Sequence, residues 1–208
     1  MQLTLCIPTI RRFAELRTCI ESSLQGEMRP TKIMVMDNSA GQLKEHNFHD
    51  LPVWIHTPSY NWGCAKAWNW FMAQNDDLVM ICNDDVTFNS RTIASCVEAY
   101  AEDPYRFIAP CAGANIFSCF MLPKMVYSAV GPFDEQFWPA YFEDNDYSHR
   151  VTLAQIPFCF TGVGYGHIGS ATLASYTTAE QGEHQRQFAA NQQRYIDKWK
   201  GMPGYERH

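Results

Sequence analysis

The chain has 208 residues, 46% apolar and 14% aromatic against 18% charged, enough to fill the core of one domain and too apolar for disorder over most of its length. Sixteen Lys and Arg against 22 Asp and Glu leave a net charge of −6, so no whole-surface basic field draws it onto nucleic-acid phosphates or anionic lipid. No segment reaches the roughly 20 apolar residues of a spanning helix, and Met1 to Arg12 lacks a signal peptide's apolar run; the expectation is a soluble, cytoplasmic protein without a transmembrane segment.

Leu3 to Ile7 reads as a buried strand that Pro8 and Thr9 stop. From Phe13 to Gln25 the apolar residues recur at helical spacing. Lys32 to Met36 gives a second strand, closed by the turn-rich Asp37-Asn38-Ser39-Ala40-Gly41. Strand, helix and strand in this order predict a βαβ unit with a right-handed crossover. Val53 to Ile55 is a third strand, Gly63 to Gln74 a helix with Ala65, Ala67, Trp68 and Phe71 on its packed face, and Leu78 to Cys82 a strand apolar enough to be covered on both sides. A helix near 91–102 follows, then glycine-rich loops and short strands, and a closing helix over Thr178 to Lys200 with Phe188, Tyr195 and Trp199 packed inward. Residues 1–90 therefore predict an open α/β sheet and 91–208 a functional second half of the same domain.

The eight cysteines at 6, 19, 64, 82, 96, 111, 119 and 159 contain no C-x2-C pair. Most sit in apolar stretches, where a reduced thiol is a small hydrophobe.

Open α/β sheets bind ligands beyond the carboxyl ends of their strands, which singles out Thr9, Asp37 and Asn83-Asp84-Asp85. Adjacent carboxylates at a crevice rim repel unless a cation offsets them, and a divalent metal carrying phosphate oxygens is the natural one; Asn-Asp-Asp is also ordinary turn chemistry. A second acidic cluster, Glu143-Asp144-Asn145-Asp146, lies among Tyr141, Phe142 and Tyr147. Partial desolvation there would raise a carboxylate's pKa and fit it for proton abstraction, while acids at a helix N-terminus are also favoured by the dipole alone. Arg150 stands one turn beyond Asp146, as an ion-pair partner would.

Taken in order, Ile7-Pro8-Thr9 with Arg12, Val35-Met36-Asp37-Asn38-Ser39, Asn61-Trp62-Gly63 with Asn69, and Asn83-Asp84-Asp85-Val86 resemble the motifs of a family 2 glycosyltransferase of the GT-A fold, in a short bacterial or phage-like form. The likeness continues through Gly131-Pro132-Phe133-Asp134-Glu135, Tyr141 to Asp146, Arg150 and His167 to the closing Asn191-Gln192-Gln193-Arg194-Tyr195 and Trp199, and so covers the whole chain. It implies a Rossmann-like, mostly parallel central sheet flanked by helices, with a C-terminal acceptor-side region. It also implies an inverting, metal-dependent transfer of a sugar from a nucleotide-diphosphate sugar, UDP-sugars favoured, to a hydroxyl of a glycan, a lipid-linked sugar or a modified DNA base.

Residue by residue, the resemblance puts Pro8, Thr9, Arg12, Asp37, Asn61 and Gly63 at the nucleotide, with Asp37 on the base and Asn83 facing the ribose. Asp84 stands beside the metal, and Asp85 and His167 hold Mn2+ or Mg2+. Asp144 is the general base, paired with Glu143. Gly113-Ala114-Asn115 lies where similar enzymes admit the acceptor. Asn83 departs from the family's Asp-x-Asp element, and a non-catalytic sugar-nucleotide or glycan-binding module of the same fold is the alternative it leaves open. The Lys and Arg of the last helix read as a solvated face, with a patch for a membrane or DNA as the other reading.

Overall fold

Alternation of side chains about a pleated backbone sets the architecture. Leu3, Leu5 and Ile7 face one core and Cys6 the other; likewise Ile33 and Val35 oppose Met34 and Met36, and Leu78, Met80 and Cys82 oppose Val79 and Ile81. The structure, a computed structural model, describes residues 2–46, 48–74, 78–113, 116–168 and 177–207. Its strands are β1 (Leu3–Thr9), β2 (Lys32–Asp37), β3 (Val53–His56), β4 (Leu78–Cys82), β5 (Val86–Thr87), β6 (Phe107–Ala109), β7 (Cys119–Leu122), β8 (Phe158–Phe160) and β9 (Gly166–His167). The helices, numbered here in chain order, are α1 (Phe13–Ser23), α2 (Gly63–Gln74), α3 (Thr92–Glu102), α4 (Lys124–Val130), α5 (Glu143–Leu153) and α6 (Thr178–Trp199).

Seven strands form one sheet in the order β3-β2-β1-β4-β7-β6-β8. The pairs β3-β2, β2-β1, β1-β4 and β6-β8 are parallel, and β7 runs against both of its neighbours. Residues of α1 and α3 fill the core on one face; those of α2, α4 and α5 fill the other. The carboxyl ends of β1, β2 and β4 therefore share one rim with the start of β7, where Asn83 N donates to Ser118 O at 2.8 Å. The mostly parallel α/β sheet flanked by helices agrees with the expectation.

β1 continues through Pro8 and Thr9, which pair with Met36 and Asp37, rather than stopping at Ile7. Its pairing with β4 ends at Cys6, so beyond that point β1 is bordered on one side alone and the N–H that proline lacks is not missed. All eight cysteines are free, and five are buried. Among the described residues no helix is long and apolar enough to cross a membrane.

A second, two-stranded sheet pairs Val86 with His167 and Thr87 with Gly166. A third cluster of buried rings, Phe137, Phe142 and Tyr195, joins the 137–142 loop to α6.

Candidate active site

A cleft of about 370 Å3 opens along the shared rim. Pro8 and Thr9 come to it from β1, Asn61 and Gly63 from the start of α2, Asn83, Asp84 and Asp85 from the end of β4, Glu143 and Asp144 from the start of α5, and His167 from β9. Of the residues expected from sequence at the nucleotide, metal or general base, Arg12 and Asp37 do not line it, and neither does Gly113, expected on the acceptor side.

Arg12 lies behind the wall, 8% exposed, with Nη1 3.6 Å from Asp85 Oδ2 and Nη2 donating to Glu15 Oε1 at 2.7 Å. Asp37 is fully buried at the tip of β2. Its carboxylate accepts from Ser39 N at 3.0 Å, from Ser39 Oγ and from Thr57 Oγ1 at 3.4 Å, which closes an Asx turn. The neighbouring Asn38 reaches the cleft in its place, with Oδ1 accepting from Trp62 N at 3.0 Å. Asn61 faces the cleft while its Oδ1 accepts from Gly63 N at 2.8 Å, which closes an Asx turn leading into α2.

The two adjacent aspartates are held differently. Thr9 Oγ1 donates to Asp84 Oδ2 at 2.7 Å, yet burial dominates and pushes the Asp84 carboxyl up to about 7. Burial also raises Asp85, but the hydrogen bond and charge of His167, with Arg12 behind, outweigh it and leave Asp85 below the usual range. His167 Nε2 lies 3.1 Å from Asp85 Oδ1 and 3.4 Å from Asn83 Nδ2. The β5–β9 ladder makes this contact: Val86, next to Asp85, is the residue that pairs with His167.

Among the described residues no three His, Cys, Asp or Glu side chains converge as a ready-made metal cage. Asp85 and His167 nonetheless fit a divalent ion as two of its donors, since carboxylate oxygen with imidazole nitrogen suits Mn2+. A cation would also offset the charge that Asp84 and Asp85 concentrate.

The second acidic pair sits on a strained turn. Tyr141 and Phe142 both adopt left-handed backbone, at φ 78° and 71°, a conformation that costs a non-glycine residue roughly 1–3 kcal/mol. Two partners hold it. Asn191 of α6, fully buried, places Nδ2 3.2, 2.9 and 3.3 Å from the carbonyl oxygens of Trp138, Ala140 and Tyr141, while its Oδ1 accepts from Arg194 Nη1 at 2.9 Å. On the other side Cys64 N donates to Pro139 O at 2.9 Å and Trp138 Nε1 to Asn61 O at 2.9 Å. Gly63 has φ 72°, and a Cβ there would collide with the Pro139 carbonyl, so glycine is required for this approach.

The turn ends with Glu143 and Asp144 in the first turn of α5. Glu143 is 4% exposed, and among the described residues its Oε2 has no hydrogen-bond partner. Burial, then the charge of Asp144, raises its carboxyl well above the usual range. Asp144 is raised too, by burial, although Asn145 N donates to Oδ1 at 2.8 Å. A carboxylate kept short of solvent at a cleft wall can accept a proton from a bound hydroxyl.

Sequence reasoning did not find Asn38, Cys64 or Ser118, nor His184 and Gln187 of α6, all of which line the cleft. A signal existed for the last two: they lie two turns and one turn before Asn191 on the stripe that carries Tyr195. Arg150 Nε does pair with Asp146 Oδ2, at 2.9 Å. Tyr195 is buried as expected, while Phe188 is 39% exposed yet packs on Tyr141 and Phe142. Ala114, Asn115, Gly169 and Ser170 lie outside the described residues.

Solved structures share this fold. The chain matches the crystal structure of S. aureus TarS 1–349 in complex with UDP-GlcNAc at 12% identity and a TM-score of 0.68, over 97% of this chain and 67% of that one. It matches the mannosyltransferase PcManGT from Pyrobaculum calidifontis, in complex with GDP-Man and Mn2+, at 14% identity and a TM-score of 0.60, over 76% and 54%. A longer S. aureus TarS structure matches at 13% identity and a TM-score of 0.62, over 79% of this chain and 36% of that one, so the present chain spans only part of the length of these proteins. No curated protein sequence matches it. A family model described as glycosyl transferase family 2 matches residues 4–159. That stretch holds the sheet, the Asn83-Asp84-Asp85 rim and the Glu143-Asp144 turn, and it shows that the chain belongs to glycosyl transferase family 2.

Proposed function

We propose that the cleft transfers a sugar from a nucleoside-diphosphate sugar to an acceptor hydroxyl, with inversion at the anomeric carbon. The observation that carries this reading is the meeting of two acidic pairs, Asp84-Asp85 and Glu143-Asp144, in one cleft of about 370 Å3 at the carboxyl rim of the sheet. The neighbours solved with UDP-GlcNAc and GDP-Man support the donor class.

In this reading the nucleotide lies over the ends of β1 and β2, against Pro8, Thr9 and Asn38, with Asn83 hydrogen-bonding a ribose hydroxyl through its neutral amide. Asp85 and His167 would hold Mn2+ or Mg2+, whose charge offsets that developing on the departing diphosphate. Arg12 keeps Asp85 ionised from behind, and Thr9 fixes the Asp84 carboxyl. Asp144 takes the proton of the attacking hydroxyl. Glu143, beside it in the first turn of α5, is buried with it, and burial is what raises the basicity of Asp144.

Calorimetry with Mn2+ and each of UDP, GDP and dTDP tests the donor class: one nucleotide binds with measurable heat, and no heat with any of them overturns the reading. Donor hydrolysis by Asp144→Asn then tests the base. A loss of at least roughly a hundredfold is expected, whereas equal rates in the variant and the original protein favour a binding module of the same fold.

A further inference from the structure

The strand ends account for the donor side of the cleft, but one wall is left over. Tyr141, His184 and Gln187 build it. The Tyr141 ring meets His184 edge-on at 5.1 Å and Phe188 at 5.3 Å, and Gln187 Nε2 donates to Glu183 Oε1 at 2.8 Å, which orients its amide. Tyr141 stands two residues before Glu143, so this wall adjoins the acidic pair.

Charge decides what it can face. The described lining contains Asp84, Asp85, Glu143 and Asp144, and neither Lys nor Arg. The cations of α6 are spent elsewhere: Arg186 Nε on Glu183 at 3.0 Å, Arg194 on Asn191 at 2.9 Å, and Lys198 on Asp134 and Asp146 at 2.7 and 2.6 Å. A DNA strand brought to this wall would find acidic side chains and, among the described lining residues, no Lys or Arg to hold its phosphates. An uncharged sugar needs hydrogen-bonding groups and an aromatic surface, which His184, Gln187 and Tyr141 supply.

Taking the transferase reading as given, we propose that Tyr141, His184 and Gln187 form the acceptor subsite and that it takes a hydroxyl of an uncharged sugar rather than a nucleic-acid base. In the transfer the acceptor oxygen bonds to the anomeric carbon, the bond from that carbon to the diphosphate oxygen breaks with its electron pair staying on the nucleoside diphosphate, and the hydroxyl proton passes to Asp144.

The test follows nucleoside-diphosphate release from sugar nucleotides built on whichever base binds. Release is measured with water alone, with neutral mono- and disaccharides, and with duplex DNA carrying hydroxymethylated cytosine. A saccharide raises turnover above hydrolysis and the DNA does not. In His184→Ala and Gln187→Ala the ratio of transfer to hydrolysis falls by roughly tenfold or more, while Gln193→Ala, outside the cleft lining, keeps the original ratio. Stimulation by DNA alone, no stimulation by any saccharide, or an unchanged ratio in both cleft variants overturns the proposal. Failure of every nucleotide to bind is a separate result and overturns the transferase reading itself.

Discussion

Glu143 and Asp144 are two carboxylates that the fold keeps from solvent at its own expense. Burial raises both, so under the proposed function the acid limb of activity belongs above the ordinary carboxylate range: with Asp144 as the base, kcat/KM should rise with pH through its elevated pKa, which a pH–rate profile measures. Stability moves the other way. Between the unfolded and folded pKa of Glu143 the native state holds a proton that the unfolded chain releases, so this group's contribution declines as pH rises through that window. Glu143→Gln should therefore raise Tm, by roughly 3 °C at pH 8 and less at pH 5, while lowering activity. Asn191 is a positioning residue. Asn191→Ala should cut kcat by roughly tenfold or more while nucleotide Kd stays within about threefold, because the turn it braces carries Asp144 and not the β1–β2 rim; an equal loss in both would mean that Asn191 serves stability alone. The acids themselves were legible in the sequence, since their motifs are local. Asn38, Asn191 and His184 were not, because what they do depends on contacts more than 20 residues away.

At the scale of elements, the α5–α6 junction is knotted at one carboxylate. Asp146 is fully buried, with Oδ2 2.9 Å from Arg150 Nε, and Oδ1 2.9 Å from Trp199 Nε1 and 2.6 Å from Lys198 Nζ. Removing it strands buried donors, so Asp146→Ala should cost about 3–5 kcal/mol in urea denaturation. Gly63→Ala should lower both stability and activity, for it must move Pro139 and the turn with it. Element boundaries were readable where pattern and punctuation agree: α2 and β4 match residue for residue the ranges that apolar spacing gives. The end of β1 was not, because a proline signals a stop only if its missing N–H is needed, and that depends on which neighbours remain. β9 is two residues long and carries no periodicity, so the strand itself was not readable, and the resemblance alone put His167 with Asp85. The start of α6 did have a local signal, the capping box formed by Thr177 and Glu180.

For the whole molecule, the proposed function requires a cation and an anion together in the cleft. Mn2+ alone meets two protein donors, and a diphosphate alone meets four carboxylates, so neither by itself should move Tm by more than about 1 °C. Together, at a hundredfold over Kd, they contribute about 2.7 kcal/mol and should raise Tm by roughly 5–10 °C in a thermal melt, an effect that a chelator abolishes. The ladder of β5 and β9 extends this to folding. It joins Val86 to His167 through two residue pairs, so it closes a very long loop for little local gain and must await the sheet on which it rests. The nucleotide rim can thus be native while His167 is still free in the chain. The amides of these short strands should exchange with solvent faster than those of β1 and β4, and slow when metal and nucleotide bind, so that the donor completes the fold that receives it.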